Sequence, residues 1–239
     1  MTFLDHLGEL RKRLIRIAVA LVVLGGVSLY FTPHILRLLI LPYGSQLKVI
    51  GPTESVGVYL RIALTCAAAA GMPYILLEIW GFISPGLLPR ERRFACVMVP
   101  AGVILFLVGV SFAWFFMIPA AVRFLSNFSP DIFKTEWTSQ NYIPFVTSLL
   151  FWIGVCFELP LVVFFLAKLR IVSARLLLRV WRLAVVVIVI AAAVITPTVD
   201  PFNLMLVALP LVVLYFLSIL LAVIAQRDRK ADPVEDSAA

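Results

Sequence analysis

Six apolar runs divide this chain, and most of them are as long as a bilayer is thick. At 1.5 Å per residue, a helix needs about 20 apolar residues to cross roughly 30 Å of hydrocarbon. The runs cover 14–31, 56–83, 94–119, 142–166, 183–195 and 202–225. The fifth would reach only about 20 Å, so the last two spans are expected to be short. Composition points the same way, with 63% hydrophobic and 14% charged residues, where a soluble domain carries about a quarter charged. One core could not hide that much apolar surface, so lipid must be the solvent for much of it. The expected fold is an all-α polytopic membrane protein, a single six-helix membrane domain over 1–225 with a disordered polar tail over 226–239. Prolines at 73, 100, 119, 160 and 210 predict bent helices that line a concave wall. No repeat is visible, which disfavours carriers built from duplicated halves.

The connections complete this outline. The first run is too long for a signal peptide and lacks a small-x-small cleavage site, so it reads as a retained span. Thr32-Pro33 is expected to end its helix. The linker 32–54 contains Pro42, Gly44 and Gly51-Pro52, and its apolar piece Ile35–Leu41 is too short to span and is placed on the membrane surface. The segment 121–141 reads as polar and irregular.

The net charge is +7, but the bases stand beside apolar runs instead of forming a stripe of their own, which favours membrane topology over nucleic acid. Fifteen of the 20 Lys and Arg lie at the N-terminus, in 84–93, in 168–182 and in the tail; the others are Arg37, Lys48, Arg61, Arg123 and Lys134. That bias predicts both termini on the cytoplasmic side. Within 168–182, Arg175, Arg179 and Arg182 are spaced to share a helix face.

The opening segment is amphipathic. Phe3, Leu7, Leu10 and Leu14 recur at helical spacing, and Asp5, Glu9, Lys12 and Arg16 repeat opposite them, as in a helix lying at a membrane surface. A carboxylate set among those bases is less usual than the bases themselves. Glu9 is spaced to pair with Arg13 at i,i+4, and Glu91, among Arg90, Arg92 and Arg93, is spaced to favour a helix start at Pro89. Neither pattern by itself requires a ligand.

The remaining chemistry is sparse. His6 and His34 are the only histidines and both stand near span ends, so no mid-span base is available to activate a nucleophile. No hydrolase, zinc or phosphate-loop motif occurs, and neither a metal nor a cofactor is expected. Cys66, Cys96 and Cys156 read as small apolar packing residues. Glu158 is the most informative intramembrane residue. It stands about 12 Å from the inner end of the fourth run, where a carboxylate must face protein or a wet cavity. It serves either as a hydrogen bond between helices or as a polar element of a ligand-facing wall. Glu78, nearer the inner end of the second run, is either a solvated span end or part of that wall.

Several motifs in order then carry a resemblance. They are His6-Leu-x-Glu9-Leu10-Arg11-Lys-Arg13-Leu14, Trp80-x-Phe82-Ile-x-Pro85-x-Leu87, Glu91-Arg92-Arg93, Phe157-Glu158-x-Pro160, and Thr196-Pro197 with Asp200. Together they resemble the TatC component of the twin-arginine protein translocase, over nearly the whole chain. The resemblance implies a non-enzymatic receptor in the cytoplasmic (inner) membrane of a prokaryote. Such a receptor binds the twin-arginine signal peptides of folded cargo proteins at the cytoplasmic face. It assembles with single-span TatA/TatB-type partners, and with further copies of itself, to export the cargo using the proton-motive force. It implies a signal-peptide site of Glu9, Leu10, Arg11, Phe82, Glu91 and Arg92, and concave-face polar residues Glu158 and Glu78. Outer-loop or partner-contact positions would be Pro42, Asp200 and Met205. Two positions depart from the family's habit: Leu204 where a glutamine is usual, and Phe216 where a glutamate is usual.

Elementary chemistry agrees with a receptor. A carboxylate meets the planar fork of a guanidinium with two hydrogen bonds, which an ammonium cannot match. Each exposed pair contributes about 1 kcal/mol, so the peptide's apolar segment must add affinity along the helices. The rival reading is a proton-coupled small-solute transporter using Glu78 and Glu158; it leaves Glu9 and the Arg-Glu-Arg-Arg loop unexplained.

Overall fold

The computed structural model describes residues 3–83, 89–128, 136–196 and 200–230, with the side chains of 3–5, 89–96 and 227–230 outside that description. Among the described residues the secondary structure is helical, apart from one isolated bridge between Lys48 and Thr138. The helices are α1 (Phe3–Ile40), α2 (Glu54–Ile83), α3 (Pro89–Phe112), α4 (Ile118–Ser126), α5 (Ser139–Cys156), α6 (Leu159–Lys168), α7 (Ala174–Arg179), α8 (Trp181–Ile195) and α9 (Pro201–Lys230). Five helical stretches are long and apolar enough to cross a membrane: His6–Ile40, Glu54–Ile83, Val97–Ser126, Ser139–Lys168 and Pro201–Gln226. Trp181–Ile195 is apolar but shorter, with 15 residues.

The helix bounds depart from the sequence reading where that reading stops a helix at proline. α1 does not end at Thr32-Pro33; it continues to Ile40 with Pro33 inside it. The Thr32 hydroxyl donates to the Ser28 carbonyl at 2.9 Å. Beyond the proline, Leu39 is buried in the core and its carbonyl accepts from the Tyr142 hydroxyl at 2.9 Å. Packing of that last turn outweighs the one backbone bond a proline removes, so 35–40 is the end of the first helix and not a separate surface piece.

Likewise, 121–126 is helical, not irregular. α3 passes into α4 through a π-helical turn, Ala113–Met117, in which the Ile118 amide donates to the Ala113 carbonyl. This wider turn falls just before Pro119, at the start of α4, and the helix resumes with Ile118, Ala121 and Val122 buried. The fourth run is two helices. α5 stops at Cys156, and α6 begins at Leu159-Pro160.

In the basic stretch, the Ser173 hydroxyl caps α7 by accepting from the Leu176 amide at 3.1 Å. Val180 then separates α7 from α8, so Arg182 sits on a different helix from Arg175 and Arg179. α9 continues through 226–230, where a disordered tail was expected; 231–239 lie outside the described residues.

Two main clusters hold the helices together. One joins the end of α1, the start of α2, α4, the start of α5, the end of α8 and the start of α9, around Ile62, Met117, Tyr142, Phe145 and Val207. The other joins the second half of α2 to α3 and α6 around Met72, Leu76, Trp80, Phe106 and Phe165. The Trp80 and Phe165 rings meet edge to face at 4.3 Å. Close approach is needed where α3 meets α5. A Cβ on Gly109 would fall 2.8 Å from Phe157 Cγ, and one on Gly154 2.6 Å from Phe106 Cε2.

At the end of the molecule away from the N-terminus, Glu54 binds two loops. Its Oε2 accepts from the amides of Ile50 (2.8 Å) and Gly51 (3.2 Å). Its Oε1 accepts from the Ser139 hydroxyl and the Gln140 amide, both at 2.7 Å. With the Lys48 and Thr138 bridge and the Lys48–Glu136 ion pair, this fixes the first linker to the start of α5.

Candidate guanidinium-binding site

α1 packs more extensively on α2 than any other two helices pack on each other, and the polar site lies where the start of α1 meets the end of α2. Its centre is Arg13. The guanidinium donates from Nε (3.1 Å) and Nη2 (2.6 Å) to Oε1 of Glu9, one helical turn earlier. From Nη1 it donates to Oε2 of Glu78 at 2.8 Å and to the Glu78 carbonyl at 3.3 Å. Glu78 Oε1 accepts from the Tyr74 hydroxyl at 2.9 Å and lies 3.6 Å from Nη1 of Arg16.

Two helical spacings, Glu9 with Arg13 and Tyr74 with Glu78, set each pair on one face, and helix packing joins the pairs. Gly81 makes the approach possible, because a Cβ there would run into Arg13 Nη1. Beside the ion pairs, the His6 and Phe82 rings stack at 4.2 Å with an interplanar angle of 20°. Two carboxylates balance two guanidinium groups. Glu78 is buried, and Glu9 and Arg13 are each about one-fifth exposed in their side chains, 22% and 19%. Glu9 Oε2 is buried and has no hydrogen-bond partner among the described residues. A carboxylate oxygen in that state can accept another donor, and leaving it unmet has a cost.

The structure brings some of the expected residues together and separates others. Glu9 and Phe82 share the α1–α2 corner through Arg13, Gly81 and His6. Leu10 and Arg11 stand on a different stripe of α1, with Leu7, Leu14, Ile15 and Ala18, along an open groove of about 440 Å³. Glu91 and Arg92 fall in the first turn of α3, which starts at Pro89; their side chains lie outside the described residues.

Glu78 joins the Arg13 cluster. Glu158, at the break between α5 and α6, is buried against α3, where a Cβ on Gly102 would fall 2.9 Å from Glu158 Oε2 and 2.9 Å from Leu76 Cδ1. Its Oε1 has no hydrogen-bond partner among the described residues.

Of the outer positions, Pro42 lies in the turn after α1. Asp200 caps α9, accepting from the Asn203 amide at Oδ1 and from Asn203 Nδ2 at Oδ2, both at 2.8 Å. Met205 is exposed in the first turns of α9. Leu204, one of the two departures, packs on the core, while Phe216 is exposed.

Sequence reasoning did not place Tyr74, Gly81 or Glu54 in any network. Tyr74 and Glu78 carry a signal, their i,i+4 spacing; the Glu54 bonds to Ser139 and Gln140 cross 85 and 86 residues of sequence and have none. Among the described residues, no three His, Cys, Asp or Glu side chains converge as a metal would need. What the corner does is hold guanidinium groups, those of Arg13 and Arg16.

Comparison with known proteins gives this geometry a family. Residues 5–210 match the family described as Sec-independent protein translocase protein (TatC). The chain is 39% identical over 226 residues to the Sec-independent protein translocase protein TatC of Carboxydothermus hydrogenoformans, covering 93% of each. It is 36% identical over 236 residues to the Helicobacter pylori protein of that name, covering 97% of this chain and 94% of the other. A crystal structure titled as the twin arginine translocase receptor TatC superposes with a TM-score of 0.85 at 30% identity, over 93% of this chain and 100% of that one. A solute carrier routed through Glu78 and Glu158 fits neither these matches nor the pairing of Glu78 with Arg13. The chain belongs to the TatC family, and is a multi-pass membrane subunit of the Sec-independent protein translocase.

Proposed function

We propose that this subunit is the receptor for twin-arginine signal peptides, and that Glu9 accepts one of the two peptide guanidinium groups. The observation that carries the reading is the Glu9 carboxylate, bonded at Oε1 and without a partner at Oε2 among the described residues, next to the aromatic pair His6–Phe82. Two neighbouring arginines need two acceptors, and Glu91, at the start of α3, is the second. Leu10 and Arg11 then border the path of the peptide along the exposed stripe of α1, and Arg92 restricts entry to ligands that reach the carboxylates. The site faces the cytoplasm of a prokaryotic cell, in its inner membrane. The subunit performs no chemistry of its own and uses no cofactor. It associates with other copies and with single-span TatA/TatB-type partners, near Pro42, Asp200 and Met205, and the proton-motive force drives export of the folded cargo.

The test is site-specific crosslinking from positions 7 and 14, on the exposed stripe of α1, which leaves both carboxylates in place, to a signal peptide carrying consecutive arginines. Glu9→Ala and Glu91→Ala should each lower crosslinking, by about fivefold if each removes about 1 kcal/mol of pairing, while complex assembly survives. Undiminished crosslinking in the double variant would remove both residues from the site.

A further inference from the structure

We infer that Arg13 is an internal competitor for the recognition carboxylate, and that Glu78 is the acceptor that holds Arg13 once an incoming guanidinium has displaced it. The inference rests on the reading that Glu9 receives a peptide arginine.

Arg13 already does to Glu9 what a ligand must do. Its Nε and Nη2 both donate to Oε1 of Glu9, so one edge of the fork is spent on the recognition carboxylate. The other edge is anchored elsewhere, with Nη1 on the carboxylate and the backbone carbonyl of Glu78. Glu78 is fixed in turn by the Tyr74 hydroxyl, and it lies within 3.6 Å of Arg16. The guanidinium can therefore give up its Nε–Nη2 edge and stay paired through Nη1, with no charge left alone at this partly buried corner. Arg16 is 59% exposed in its side chain, and can turn to water when a further cation enters.

This arrangement makes specificity a matter of displacement as well as attraction. A guanidinium that arrives can replace both bonds that Arg13 makes to Glu9, because it presents the same planar edge. An ammonium is a point charge and replaces them poorly. A carboxylate with both oxygens free would accept either cation with modest preference; with Oε1 held by Arg13, an ammonium is left with Oε2, whereas a guanidinium that displaces Arg13 bonds both oxygens. Arg13 is thus a specificity-determining residue and Glu78 a positioning residue.

The experiment is a binding titration on the full chain in lipid nanodiscs, with two fluorescent signal peptides that differ only in Arg-Arg against Lys-Lys. Arg13→Gln should tighten the Lys-Lys peptide more than the Arg-Arg peptide, and narrow the affinity ratio by about fivefold or more. Glu78→Gln keeps the bond from Tyr74 but leaves Glu9 as the one carboxylate among the described residues that pairs with Arg13, so it should weaken the Arg-Arg peptide several-fold. In the Arg13→Gln/Glu78→Gln double variant that loss should vanish, since nothing competes for Glu9. Arg13→Lys, which keeps the charge that holds the corner together, should narrow the ratio in the same direction, and it carries the test if Arg13→Gln fails to fold.

An unchanged ratio in the Arg13 variants, or a Glu78→Gln loss that persists in the double variant, overturns the competition. Glu9→Gln separates the two layers. Arg-Arg binding indifferent to Glu9→Gln refutes the receptor site itself. Binding that depends on Glu9 alongside an unchanged ratio refutes only the role of Arg13.

Discussion

Glu158 shows how differently the carboxylates of one chain are housed. Glu9 and Glu78 are bound by arginines at the corner of two helices, whereas Glu158 is buried at a helix break with Gly102 and Leu76 against it and Oε1 unpaired among the described residues. A carboxylate so placed is costly to keep, and a purely structural role would offset that cost with hydrogen bonds, which Oε1 does not make among the described residues. Glu158→Ala is therefore expected to leave arginine recognition intact and to lower export of a twin-arginine cargo. Crosslinking from position 7 and transport measured in parallel decide it, and normal transport would return Glu158 to a packing role. The sequence showed the depth of Glu158 and the i,i+4 spacing of Glu9 and Arg13. It could not show that Arg13 also reaches Glu78, 65 residues away, because local spacing says nothing about which helix faces which.

Three of the departures from the expected helix bounds turn on how a helix accommodates a proline. Proline was read as a stop at 33, yet Leu39 and Tyr142 hold the turn beyond it; at 119 a π-helical turn comes just before the proline and the helix resumes; only at 160 does the helix break, beside Glu158. The period and length of the apolar runs were legible, since lipid imposes both, but whether packing outweighs a lost backbone bond depends on partners far along the chain. The end of α6 offers a test of local strain. Arg170 has a left-handed backbone, with φ of 64°. The Arg170 amide donates to Ala167 (3.2 Å) and the Ile171 amide to Leu166 (3.0 Å), a closure that favours glycine at the left-handed position. An exposed arginine gains nothing there that offsets roughly 1 kcal/mol of backbone strain. Arg170→Gly is expected to raise the thermal midpoint in detergent by about 2–4 °C, less whatever the added freedom of the unfolded chain costs. A lowered midpoint would show that the arginine side chain supports the turn.

Across the whole molecule, contacts sort the segments into two ends. The start of α1 meets the end of α2 through Arg13 and Glu78, Trp80 meets Phe165 of α6, and the Tyr215 hydroxyl of α9 donates to the Leu177 carbonyl of α7 at 2.8 Å. At the opposite end Glu54 joins 50–51 to 139–140, Trp137 Nε1 donates to Ser126 at 3.0 Å, and Phe124 stacks on Phe202 at 3.9 Å. The first end collects the basic segments around 11–16 and 168–179; the second holds Arg37, Lys48, Arg61 and Arg123. Since cytoplasmic loops are the ones enriched in Lys and Arg, the fold predicts that the Arg13 corner faces the cytoplasm and the Glu54 network faces out. In a chain with Cys66, Cys96 and Cys156 replaced by serine, Lys12→Cys and Arg179→Cys should react with an impermeant maleimide only after the membrane is opened, and Gln46→Cys and Gln140→Cys in intact cells. The reverse pattern would put the carboxylates on the wrong side of the membrane to meet a signal peptide before export, and would refute the receptor reading together with the orientation.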